Sequence, residues 1–163
     1  MDVTIETLPA RRAAAIRLVG PYSESGALFE RLFAWAGVAG LDPRRLRAFS
    51  LSYDDPSAVP AEALRSDACL ELPDDFDPGS LDASAALPAE VEVRTLPACR
   101  YAVHRLSGSY DGIHRTYQRL FGDWLPGSGE EVAELPCMEV YLNDCRALPE
   151  AELETDLCIP LKG

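Results

Sequence analysis

Residues 5–22, IETLPARRAAAIRLVGPY, and residues 93–110, VRTLPACRYAVHRLSGSY, read as two copies of one pattern. They share Thr7/Thr95, Leu8/Leu96, Pro9/Pro97, Ala10/Ala98, Arg12/Arg100, Ala14/Ala102, Arg17/Arg105, Leu18/Leu106, Gly20/Gly108 and Tyr22/Tyr110. That is ten of 18 positions at an offset of 88, where average composition gives about one. At an offset of 89 the similarity resumes, PAEALRSDACL from Pro60 against PEAELETDLCI from Pro149, through Pro60/Pro149, Leu64/Leu153, Asp67/Asp156 and Cys69/Cys158. The expected architecture is one domain over 1–163 made of a duplicated β-α-β-β unit, with half one over about 1–73, a linker over about 74–90 and half two over about 91–163.

Periodicity supplies the elements of each half. Val3 to Leu8 and Arg12 to Val19 read as a strand interrupted at Leu8-Pro9-Ala10, because proline cannot donate to a ladder. Val91 to Leu106 repeats this. Gly20-Pro21-Tyr22-Ser23 and Gly108-Ser109-Tyr110 supply turns, with Ser23 and Ser109 as expected N-caps. Leu28, Leu32, Trp35 and Ala36, and then Ile113, Tyr117, Leu120, Phe121 and Trp124, recur at helical spacing and are expected to face a sheet. Pro43 and Pro126-Gly127 are expected to end those helices. Arg47 to Tyr53, Cys137 to Asn143, Asp67 to Leu72 and Asp156 to Leu161 read as strands. The fold class is therefore α+β: antiparallel sheets with helices on one face, pseudo-two-fold symmetry and a central groove that suits a ligand.

Charge and composition exclude several functions. Fifteen basic against 27 acidic residues leave a net charge of -12, and such a surface repels a phosphate backbone, so direct nucleic-acid binding is not expected. No apolar run approaches the roughly 20 residues of a membrane helix, and the first residues lack a secretory signal, so the chain reads as cytoplasmic and off the membrane. Five cysteines without a C-x-x-C spacing suit reduced thiols. Neither a metal site nor a cofactor motif is present: His104 and His114 have no ligand at metal spacing, and there is no phosphate loop, dinucleotide glycine pattern or G-x-S-x-G elbow. A duplication already supplies the symmetry a dimer otherwise provides, so a monomer is expected.

A repeat also provides an internal control, since a polar departure in one half asks for its own explanation. With the 88-residue offset, Phe49-Ser50-Leu51-Ser52-Tyr53 aligns with Cys137-Met138-Glu139-Val140-Tyr141, which sets Glu139 against Leu51. Strand alternation then puts Met138, Val140 and Leu142 under the helix, and Glu139 with Tyr141 on the groove side. By spacing alone an isolated Glu in an alternating strand is more often a solvated residue than a ligand group. Trp35 and Trp124 lie on the helical stripes, where core packing is the commoner role. Tyr22 and Tyr110 recur at the strand-helix turns and fit either a scaffold or a pocket rim.

Three blocks resemble the GyrI-like small-molecule-binding family, which includes the SbmC gyrase inhibitors and the effector-binding domains of AraC-type and multidrug-sensing MerR-type regulators. They are Arg17-Leu18-Val19-Gly20-Pro21-Tyr22; Tyr53-Asp54-Asp55-Pro56 followed by Pro60-Ala61-Glu62-Ala63-Leu64-Arg65-Ser66-Asp67; and Pro136-Cys137-Met138-Glu139-Val140-Tyr141-Leu142-Asn143. The resemblance covers nearly the whole chain. It implies a groove for lipophilic, often cationic or planar compounds, with the family's pocket glutamate falling on Glu139, which displaces the solvated-surface reading. Tyr141, Tyr53, Trp124, Trp35, Tyr22 and Tyr110 are the candidate aromatic contacts. The chain begins at its first strand and so is expected not to act alone as a transcription factor. Three functions follow from the resemblance. One is binding of a toxic or signalling small molecule, with a role in drug resistance. Another is inhibition or protection of DNA gyrase as a protein partner. The last is hydrolysis of cyclopropane-containing DNA alkylators, with Glu139 as general base.

Overall fold

The computed structural model describes residues 1–163. In chain order the elements are β1 (Thr4–Leu8), β2 (Arg11–Val19), α1 (Gly26–Val38), β3 (Ala48–Ser52), β4 (Arg65–Glu71), β5 (Val91–Leu96) and β6 (Cys99–Ser107). There follow α2 (Ile113–Arg119), a π turn over Leu120–Trp124, α3 (Leu125–Ser128), β7 (Cys137–Tyr141) and β8 (Glu154–Leu161). Residues 10–97 form one unit, and residues 1–9 with 98–163 form the other. Strand order is β3-β4-β2-β5 in the unit of α1 and β7-β8-β6-β1 in the unit of α2. The ladders within each are antiparallel, so the fold is α+β.

The interruption at Leu8-Pro9-Ala10 is a crossover rather than a bulge in one strand. β1 pairs with β6, whereas β2 pairs with β4 and β5. A proline has no N–H to continue a ladder, and Pro9 and Pro97 stand where the chain passes from one unit to the other.

In the unit of α1, Ala14 and Ile16 of β2 and Ala68 and Leu70 of β4 pack under Leu28, Leu32, Trp35 and Ala36, the stripe expected from periodicity. Small alanines on the strands let the helix approach closely. The segment expected as a linker completes this core, since Phe76, Leu81 and Leu87 pack against it and Ala85 is buried. Its start is held by Arg12, whose Nη2 donates to the carbonyls of Pro73 (3.0 Å), Asp74 (3.1 Å) and Phe76 (2.6 Å). It is a strap over the unit, because its apolar side chains have an apolar surface to cover.

In the other unit Ala102 of β6, Leu157, Ile159 and Leu161 of β8 and Leu120 of the π turn form the core, with Ile113, Tyr117, Trp124 and Cys137 packed on it. Pro126 does not end the helix. It lies at the start of α3, and the helix continues through a wider turn in which the Leu125 N–H donates to the Leu120 carbonyl. A π turn inserts a residue and rotates the stripe, which leaves Phe121 exposed instead of buried. The helix stops at Gly129, whose φ of 77° is the left-handed region that suits glycine. Ser109 caps its turn by accepting from the Asp111 N–H at 3.2 Å. Ser23 lies within the 3-10 turn Tyr22–Ser25 instead, and the N-cap position of α1 is Ser25. No helix is long and apolar enough to cross a membrane.

Candidate functional site

The ladder decides which way Glu139 points. Glu139 is paired with Leu157, and Tyr141 with Thr155. Directly opposed residues of an antiparallel pair share a face, and Leu157 lies in the core beneath the π turn with Cys137 packed on the same cluster. Cys137, Glu139 and Tyr141 therefore occupy the helix-covered face, and Met138 and Val140 the opposite one. This reverses the expected placement of Met138, Val140 and Leu142 under the helix. The cause is a one-residue slip in the alignment of the two halves. The Leu142 N–H donates to the Glu154 carbonyl at 3.0 Å as the Tyr53 N–H donates to that of Arg65 at 3.1 Å, so Tyr53 corresponds to Leu142. Glu139 thus stands where the other unit has Ser50, not Leu51.

Glu139 is 8% exposed, a depth at which carboxylates are rare unless hydrogen-bonded. The Tyr141 hydroxyl donates to its Oε2 at 3.3 Å. Tyr110 meets the Tyr141 ring edge-on, centroids 5.4 Å apart, in the T-shaped geometry that aromatic quadrupoles favour. From α2, Tyr117 donates to the Met138 carbonyl at 3.2 Å. Burial first, and then the charge of Glu139, push the Tyr117 hydroxyl well above the ordinary tyrosine value. The same two causes raise the Cys137 thiol to about 12. Helical spacing places Tyr117 on the apolar stripe, whereas its proximity to Glu139 depends on which face of β7 the carboxylate occupies, and that follows only from the ladder.

A raised pKa depletes thiolate, so alkylation should report on this face. At pH 8 iodoacetamide is expected to modify exposed Cys145 before Cys137, read by peptide mass spectrometry. Early modification of Cys137 would place the Glu139 face in solvent.

The structure thus brings Glu139, Tyr141 and Tyr110 together. Trp124, in the same unit, is packed on the core and lines a cleft of about 270 Å³ with Met1, Arg119 and Asp123. The other three aromatics belong to the unit of α1 and are engaged there. Tyr22 donates to the Asp54 carbonyl at 2.8 Å. Trp35 is 5% exposed, donates from Nε1 to the Ala85 carbonyl at 3.1 Å and meets Phe76 edge-on at 6.0 Å. Tyr53 donates to Asp67 Oδ2 at 2.6 Å and lies under the Arg17 guanidinium at 4.7 Å, with burial pushing its hydroxyl up to about 12.

Asp67, a repeated position in the sequence, organises a charged cluster. Fully buried on β4, it binds Arg17 Nε at 2.6 Å from β2 and Arg94 Nη1 at 2.6 Å from β5, besides Tyr53. Its counterpart Asp156 binds Arg105 through Nε at 2.8 Å and Nη2 at 3.0 Å. The position of Arg94 corresponds there to Glu6, so no second arginine arrives from that strand.

The chain is 35% identical over 168 residues to a DNA gyrase inhibitor of Edwardsiella piscicida, covering 99% of each chain. Among solved structures it is similar to the EcmrR C-terminal domain (16% identity, TM-score 0.78, 99% of this chain and 97% of that one), and it spans 57% of the EcmrR chain seen in a DNA complex. It is also similar to SAV2435 bound to tetraphenylphosphonium (14% identity, TM-score 0.62, 100% of this chain and 95% of that one). The model of the GyrI-like small molecule binding domain matches residues 1–162. A match of that extent, over a chain whose ladders and helices form the same α+β fold, means that this protein belongs to the GyrI-like small molecule binding domain family.

Proposed function

We propose that the domain binds a lipophilic cation at Glu139 and serves resistance by sequestering toxic compounds of that kind. The observation that carries this reading is a carboxylate only 8% exposed on the helix-covered face, with the rings of Tyr141 and Tyr110 beside it. A carboxylate in a low-dielectric setting attracts a cation more strongly than one in water, and aromatic faces add about 0.5–2 kcal/mol each. The tetraphenylphosphonium bound by SAV2435 is a ligand of this chemistry and supports the reading.

The test is titration with tetraphenylphosphonium, followed by thermal shift and calorimetry, in wild type and Glu139→Gln. Losing one partner of a buried charge pair costs about 2–5 kcal/mol, so the substitution should weaken binding about 30-fold or more. Equal affinity in both proteins would remove Glu139 from the function. Incubating the protein with a cyclopropane-bearing alkylator and weighing the recovered compound by mass spectrometry covers the hydrolytic alternative, in which Glu139 is a general base and the alkylator is converted.

A second reading, inhibition of DNA gyrase by direct contact, is favoured by the similarity to the Edwardsiella piscicida inhibitor across 99% of the chain. It predicts reduced supercoiling at stoichiometric protein, and full activity at large excess would sink it.

A further inference from the structure

Beside Glu139 lies a polar atom with nothing to satisfy it. Thr155 is 0% exposed, and its Oγ1 has no hydrogen-bond partner. On β8 it pairs with Tyr141 on one side and with Leu106 on the other. It therefore shares the helix-covered face with Tyr141 and stands diagonally across the ladder from Glu139, which pairs two residues further along at Leu157. Diagonal neighbours on such a ladder lie about 7–8 Å apart at the backbone, and side chains close part of that gap.

An orphaned buried hydroxyl is unfavourable, and a native structure that keeps one asks for a reason. Valine has nearly the same shape, a better strand propensity and no such cost. Packing therefore does not explain a threonine at this position. A ligand that supplies the missing hydrogen bond does.

We propose that Thr155 is a specificity-determining residue of the Glu139 site, selecting cations whose charged centre carries at least two N–H donors: primary or secondary ammonium, amidine or guanidine groups. The inference rests on the reading of Glu139 as the cation's counter-ion. A tetrahedral ammonium that donates to two oxygens holds them about 4.5–5 Å apart at ordinary hydrogen-bond lengths. The diagonal placement of a long Glu side chain and a short Thr suits that separation. One N–H meets the carboxylate and the other meets Thr155 Oγ1. A quaternary ammonium or a phosphonium satisfies the charge and leaves the hydroxyl orphaned.

The experiment compares protonated naphthylmethylamine with its N,N,N-trimethyl analogue, titrated by calorimetry into wild type, Thr155→Val and Thr155→Ser. A hydrogen bond to a charged donor is worth about tenfold in affinity. Wild type is therefore expected to prefer the amine by about ten times more than Thr155→Val does, whatever baseline preference desolvation sets. Thr155→Ser, which keeps the hydroxyl, should retain the wild-type ratio. Thr155→Val should melt no lower than wild type, because it removes the orphan and keeps the volume. Equal amine-to-quaternary ratios in wild type and Thr155→Val, with both probes binding, overturn the role of Thr155 alone. Binding of neither probe to wild type overturns the Glu139 reading and this inference with it.

Discussion

Asp67→Ala is expected to lower the stability of the protein by about 3 kcal/mol, well beyond the effect of the corresponding change at Asp156. Breaking a buried ion pair by removing one partner costs about 3–5 kcal/mol, because the charge left behind stays desolvated. Here the partners left behind are Arg17 and Arg94, whose side chains are 38% and 29% exposed. Both regain some hydration, which places the expected loss at the lower end of that range. Tyr53 also loses its acceptor. Because Arg17 is on β2, Asp67 on β4, Arg94 on β5 and Tyr53 just beyond β3, the cluster ties all four strands of one unit. Asp156 is 17% exposed and has one arginine, so Asp156→Ala should cost about 1 kcal/mol or less. For a domain of this size the difference corresponds to a melting point lower by roughly 4–10 °C in Asp67→Ala than in Asp156→Ala, measured by circular dichroism. Equal melting points would mean that the second arginine and the tyrosine add nothing to an ordinary surface pair.

That cluster shows how far the sequence could be read. Strand-helix-strand-strand order came from apolar periodicity and from the two proline turns, because those depend on local chain geometry. Which strand joins which unit did not, since pairing β1 with β6 and β5 with β2 is a long-range choice that no local pattern encodes. The facing of β7 is encoded in the sequence, but in the offset between the halves rather than in β7 itself. Between its strand-helix turn and its next strand the second half carries one residue more than the first, Tyr110 to Glu139 against Tyr22 to Ser50, and in a strand a shift of one residue exchanges the faces. The block from Pro60 onward already showed the 89-residue offset, and carrying it back to β3 would have set Glu139 against Ser50. Asp67 and Thr155 were each visible as polar residues within apolar strands, DACL and TDLCI. Only the packed strands distinguish their roles: Asp67 has one cation arriving from the adjacent β2 and a second reaching across it from β5, whereas Thr155 has Leu106 and Tyr141 as ladder partners.

Trp35→Ala should be the most damaging single truncation among the candidate aromatics, and its consequence should reach the strap. Replacing a buried tryptophan by alanine costs about 3–5 kcal/mol through lost burial and the cavity it leaves. At 5% exposure Trp35 is close to that fully buried limit. It also anchors residues far away in sequence, since its indole N–H donates to the Ala85 carbonyl and its ring meets Phe76. Without it, the strap keeps the grip of Arg12 on the carbonyls of Pro73, Asp74 and Phe76 at one end and loses its attachment near Ala85. Local opening should therefore precede global unfolding, and thermolysin below the melting temperature should cut the variant within residues 77–90 while wild type resists. Trp124→Ala is the control. Trp124 is only half-buried, at the edge of its core, so its loss should cost less and leave the strap protected. If Trp35→Ala were cut no faster in the strap than Trp124→Ala, the strap would be held by Arg12 and its own apolar contacts. The hydrogen bond from Trp35 would then be incidental to its closure, and the cost of the substitution would come from the core alone.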